Sequence, residues 1–263
     1  MKIKITLILF ALLLALSVLP ALAQDDAAQS HTVSYDGFSF TFDSAFASNV
    51  NITQYAGDPA EFGVGFAEVQ HTAFTFYDQF PAPESWFDAK GGIRVYNTAD
   101  FAGYEAYPER LAQLQTLIAE QSDLSQFMIG GTESELALPF LPTLAAAQVI
   151  RARAQVVETE DVMGISYISI YQQAQEPFLA NSFFYTFQGV SKDGVHYISV
   201  LFPVTTTYFP TEIGADFNME SFQAGFVDYV GESIATLNAA APEDFTPSLA
   251  TLDALIATFA FRQ

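Results

Sequence analysis

Three carboxylates crowd one short stretch of this chain, Glu158, Glu160 and Asp161. They fall between two runs that read as strands, and alternation puts Glu158 and Glu160 on one face. Two carboxylates on one face could share acid–base work on a glycosidic or ester bond, or hold a calcium ion. No Asp-x-Asp-x-Asp-Gly loop accompanies them, and a solvated turn is the favoured reading. The chain has three histidines, His31, His71 and His196. His31 stands at the start of the fold and reads as solvated. His71 lies beside a strand boundary, and His196 follows a turn and alternates with Ile198 and Val200. All three are taken as structural, with no His-x-x-x-His or Glu-x-x-His spacing credited to them. Ser166 follows Gly164-Ile165, but the second glycine of a nucleophile elbow is missing. No catalytic, metal or cofactor-binding residue is therefore assigned, and no cofactor is implied.

Composition narrows the classes further. The 263 residues carry 30 acidic and 9 basic side chains, a formal charge of −21, and no cysteine. Such a polyanion repels phosphate backbones and anionic headgroups, which excludes nucleic-acid binding and polybasic membrane docking. Without cysteine there is no disulfide, thiol nucleophile, Cys-ligated zinc or lipidated cysteine. The 26 Phe and 12 Tyr supply a core instead. Tyr35, Trp86 and Tyr208 are aromatic candidates for a ligand groove. Asn51-Ile52-Thr53 is a formal glycosylation sequon.

The elements that must position these groups begin after residue 23. Lys2 and Lys4, the apolar run Ile5–Leu19, Pro20 and Ala21-Leu22-Ala23 form the pattern of a secretory signal peptide, cleaved before Gln24. At about 15 residues the run is shorter than the roughly 20 of a spanning helix; an uncleaved anchor is the alternative. Residues 24–30 read as a flexible leader and 31–263 as one domain. Loss of Lys2 and Lys4 leaves 7 basic against 30 acidic residues in the exported chain.

Asp36-Gly37 between Thr32–Tyr35 and Phe38–Phe42 predicts a hairpin with Phe38, Phe40 and Phe42 on one face. Phe62–Gln70, Ala73–Tyr77 and Gly92–Tyr96 are further strand candidates, with a break at Phe80–Pro83. Pro108–Gln121 reads as a helix, with Leu111, Leu114, Leu117 and Ile118 on one side. Leu138–Pro142 is a rigid apolar stretch leading into a turn or short helix at Ala145–Ala147. Four strands follow, Ala154–Thr159, Gly164–Tyr171, Phe183–Val190 and Val195–Val204, the last two joined at Ser191–Gly194. Both faces of the second are apolar, as in a meander covered on each side. Met219, Phe222, Phe226, Val230, Ile234 and Leu237 predict one long amphipathic helix. Thr246 as N-cap with Pro247 starts another through Leu249–Phe259. Phe259–Phe261 would close an edge strand. Linker candidates are Gly130–Glu135 and Ala239–Glu243. The fold class is α+β: an antiparallel sheet meander with amphipathic helices packed on it and a helical insert near 108–147.

Leu138–Pro142, Ala146–Val149, Gly164–Tyr167, Tyr185–Gly189 and Asp193-Gly194 resemble a group of uncharacterised secreted bacterial proteins. The likeness spans about residues 136–204 and brings no functional residue with it. The opening hairpin and the closing helix and strand, Leu249–Phe261, look like the PsbP/Mog1-type α/β sandwich, from which the segment near 108–147 departs. That resemblance implies an accessory or binding module rather than an enzyme. The expectation is an exported soluble, non-enzymatic protein of the cell envelope, periplasmic or extracellular, that binds a small apolar ligand, a glycan or an envelope protein. A secreted hydrolase using Glu158 and Glu160, or a divergent serine site, is the alternative.

Overall fold

A computed structural model describes residues 29–60, 67–77, 91–131 and 136–262. Residues 1–28, Phe62–Phe66, Phe80–Pro83, Trp86 and the later part of the Gly130–Glu135 linker lie outside the described residues.

The first hairpin forms as the sequence predicts. Strands β1 (Ser30–Tyr35) and β2 (Phe38–Asp43) pair antiparallel around Asp36 and Gly37, both at positive φ. That conformation suits an Asp-Gly turn, whose twist matches the flanking strands. Phe38, Phe40 and Phe42 are all buried. A short closing strand, β11 (Ala260–Phe261), adds to the other edge of β2.

The larger sheet contains β3 (Asn49–Tyr55), β4 (His71–Tyr77), β5 (Gly92–Asn97), β6 (Ala147–Glu158), β7 (Val162–Gln172), β8 (Phe183–Ser191) and β9 (His196–Thr206). Its order is β3-β4-β5-β9-β8-β7-β6, with β10 (Phe245–Thr246) on β9, and every pair is antiparallel. The architecture is α+β.

Both faces of this sheet are covered. Phe74, Ile93, Val200 and Phe202 pack on one side with the Phe38–Phe42 row and with helices α3 (Phe226–Ala239) and α4 (Leu249–Ile256). Tyr96, Tyr197, Ile165 and Tyr167 pack on the other with Leu114, Leu117 and Ile118 of helix α1 (Tyr107–Ala119). Buried rings and aliphatic side chains on both faces remove apolar area from water, the main favourable contribution to folding.

Several expectations are corrected. Strand β3 was not foreseen, because its exposed polar residues hide the alternation of an edge strand. Residues 67–70 are irregular rather than strand, held by Glu68 and Asp58, each of whose backbone N–H groups bonds the other residue. Ala145–Ala147 is no helix: bends lead directly into β6, which starts at Ala147 rather than Ala154. The long helix is two, α2 (Met219–Ala224) and α3, divided at Gly225, which leaves helical backbone geometry. Ser248, not Thr246, caps α4, its hydroxyl accepting from Ala250 N, while Thr246 pairs in β10. Among the described residues no helix is long and apolar enough to cross a membrane.

Candidate functional site

Register decides which side chains meet on the second face of the large sheet, since residues directly opposite share a face. Tyr55 lies opposite His71, and Tyr96 opposite Tyr197. The next row runs Ala73, Arg94, Ser199, Gln188, and the one after it Thr75, Gly92, Leu201, Thr186. Phe184 lies opposite Pro203 beyond these. Small residues at Ala73 and Gly92 leave a depression there. Phe140, Tyr171 and Phe184 raise an aromatic wall beside it, with ring centroids 5.2–6.1 Å apart. The result is a cleft of about 250 Å³, apolar along Leu201, Pro203 and the aromatic wall.

Its charged end is built from Glu68, His71 and Arg94. Glu68 arrives on the irregular segment before β4. Gly57, at φ 79°, lets the backbone pass within reach of Gln70, where an added Cβ would stand 2.6 Å from Gln70 N. Arg94 Nε lies 3.3 Å and His71 Nε2 3.7 Å from Glu68 Oε1. That oxygen is buried and makes no well-formed hydrogen bond, so its attraction to the Arg94 guanidinium is Coulombic.

His71 is buried, with Tyr55 stacked on it at 4.8 Å and Tyr96 against it at 4.9 Å. Its Nδ1 lies 2.8 Å from the Val69 carbonyl. A carbonyl only accepts, so Nδ1 carries the proton, and in the neutral ring Nε2 presents a lone pair toward Glu68. Burial holds the imidazole below its ordinary 6.5, against the opposing effects of the Val69 bond and Glu68. Burial also raises the Tyr96, Tyr107 and Tyr171 phenols, which stay protonated.

A second, open cleft of about 540 Å³ lies between the β1–β2 turn and the ends of β3, β4 and β5. Tyr35, Gln54, Asn97, Asp100 and His196 line it, and it shares Tyr55 and His71 with the first. His196 stacks on Phe261 at 4.5 Å.

The groups singled out from the sequence fall elsewhere. Glu158 is exposed at the end of β6 and pairs with Lys192 at 3.0 Å; Glu160 is exposed, and neither lines these clefts. Asp161 is structural: its carboxylate accepts from Phe261 N at 3.0 Å and fastens β11. Ser166 is buried and accepts from Gln155 at 3.2 Å. It borders a third cleft beside Tyr185 and Asp253, where no described lining residue is a histidine to take its proton. Asn51 is exposed on the edge strand β3, its amide bonded to Thr53. His31 is half-buried against Phe42 rather than solvated. Tyr35 lines the second cleft, and Tyr208 an aromatic groove beside α2 and α3. No group of three or more metal-ligating side chains occurs among the described residues.

Glu68 and Arg94 were missed. Glu68-Val69-Gln70-His71 does carry Glu-x-x-His spacing, which the sequence reading overlooked. Arg94 had a further signal, a lone cation in an otherwise apolar strand run. Comparisons with protein-family models, with curated proteins and with solved structures yield no match for this chain.

Proposed function

We propose that this is an exported binding protein that takes a small, largely apolar ligand into the cleft between Ala73, Leu201 and the Phe140–Tyr171–Phe184 wall. One observation carries the reading: a concave, mostly apolar site with a few polar groups gathered at one end, built on a rigid sheet. The signal-peptide pattern of residues 1–23 supports export to the periplasm or the extracellular space.

Titration calorimetry with 1-octanol tests the site directly. One-site binding is expected, weakened at least tenfold by Leu201→Trp, whose indole fills the floor from a half-exposed position. Equal binding by wild type and Leu201→Trp would remove the cleft from the proposal. N-terminal sequencing of the exported chain tests the address, with Gln24 expected as the first residue and Met1 contradicting cleavage.

A further inference from the structure

We infer that the ligand of this cleft is a monocarboxylic acid with an apolar body, its carboxylate held by Arg94. The inference rests on the binding role proposed above and adds the chemistry of the ligand's polar end. Arg94 is the only cation among the described residues lining the cleft. Register fixes it at the centre of the floor, between Ala73 and Ser199. Its side chain is 37% exposed, and its contact with Glu68 is made through Nε. A guanidinium has two further nitrogens, carrying four more N–H donors in a planar fork that matches a carboxylate. Neither donates a hydrogen bond to a described residue.

The acidic excess of the whole chain does not oppose this locally. Among the described residues lining the cleft Glu68 is the one carboxylate, and Arg94 already lies 3.3 Å from it. A second carboxylate on the open edge of the fork would complete a carboxylate–guanidinium–carboxylate arrangement. Beyond it, the aromatic wall and Leu201 would receive the ligand's apolar body. A cationic head would meet the guanidinium at short range. A neutral hydroxyl would bring no charge and only one oxygen to the fork.

The test compares octanoate, 1-octanol and octylamine on the full exported chain at pH 7.5 by calorimetry. Octanoate is expected to bind at least tenfold more tightly than either of the others. Arg94→Gln should abolish that preference, so that octanoate and 1-octanol bind the variant alike. Arg94→Lys, which keeps the charge but not the fork, should keep only part of it. A thermal melt establishes that each variant folds, and Arg94→Lys carries the comparison should Arg94→Gln not fold. Octanoate binding no better than 1-octanol in the wild type would overturn the inference while leaving the apolar cleft standing. So would a preference that survives undiminished in Arg94→Gln, or in Arg94→Lys should Arg94→Gln not fold. Failure of all three probes to bind would overturn the inference together with the reading beneath it.

Discussion

Gln188 on β8 reaches across the second sheet face to the backbone of Leu141, 47 residues earlier. Leu141 N donates to Gln188 Oε1 at 3.0 Å, and the Tyr197 hydroxyl donates to the same oxygen at 2.7 Å. The Gln188 amide nitrogen donates onward to Thr186 and Ser199, and Ser199 donates back to the Leu141 carbonyl. Tyr167 donates to the Pro139 carbonyl, and Gln148 accepts from Leu138 N. A buried polar network thus pins the Leu138–Leu141 strap onto the sheet. The strap in turn supplies Phe140 to the cleft wall.

Removing the centre of that network leaves Leu141 N and the Tyr197 hydroxyl buried without their acceptor. Each orphaned group costs on the order of 1–3 kcal/mol. Gln188→Leu is therefore expected to lower unfolding stability by about 3 kcal/mol in denaturant titrations. It should also weaken 1-octanol binding, because the wall loses its anchor. A stable variant with unchanged binding would show that the strap holds without Gln188.

The paired glycines Gly164 and Gly189 leave room for the Phe187 ring. A Cβ on Gly189 would stand 2.4 Å from that ring, and one on Gly164 would stand 2.4 Å from the Gln188 carbonyl. A ring can shift but a strand carbonyl cannot. Gly164→Ala should cost about 3 kcal/mol and Gly189→Ala about half of that, within the usual range of overpacking. Phe187→Leu should relieve Gly189→Ala and not Gly164→Ala. A double-mutant cycle measures this, and additive costs at Gly189 and Phe187 would count against the ring contact.

Local signals made much of the fold legible and left the site illegible. Asp36-Gly37 and Ser191–Gly194 fixed two hairpins because turn chemistry is local. Strands β7 to β9 and helix α1 were readable from periodicity. Strand β3 was not, since an edge strand need not alternate cleanly. The helix at Met219–Leu237 broke at Gly225 although its apolar spacing was continuous. The cleft was hidden for a different reason. Glu68, Arg94 and Phe140 are separated in sequence and meet only through sheet register and the strap. Glu158 and Glu160, two residues apart in sequence, are both exposed and line neither cleft.

His71 gives the fold a specific pH dependence. Its folded pKa is below the unfolded 6.5, so between the two values the unfolded chain binds a proton that the folded chain does not. Stability then falls as pH drops from 6.5 toward the folded value, and rises with pH across that window. Below the folded value both states are protonated and His71 adds no further slope. Denaturant midpoints from pH 7.5 to 5 should decline in the wild type and decline less in His71→Gln. Parallel profiles for the two proteins would assign the slope to other groups.

Arg151 poses the opposite problem, a cation with no exposed surface at all. Its Nε donates to the Phe127 carbonyl at 2.9 Å, Nη1 to Gln148, and Nη2 to Ile129 and Gly131 at 2.9 and 3.0 Å. One planar fork thus gathers carbonyls from the 127–131 loop and from β6. Burying the charge is costly, so Arg151→Met removes a desolvation penalty as well as the bonds. The bonds should dominate, because an apolar side chain offers the buried Gly131 and Gln148 carbonyls no donor. A loss of about 3 kcal/mol is expected. Arg151→Lys should recover little of it, since one ammonium cannot span carbonyls so far apart. Hydrogen exchange separates this from general loosening: amides of residues 127–131 should lose protection well before those of β8. Uniform loss across the sheet would instead mean that Arg151 supports the whole core rather than this loop.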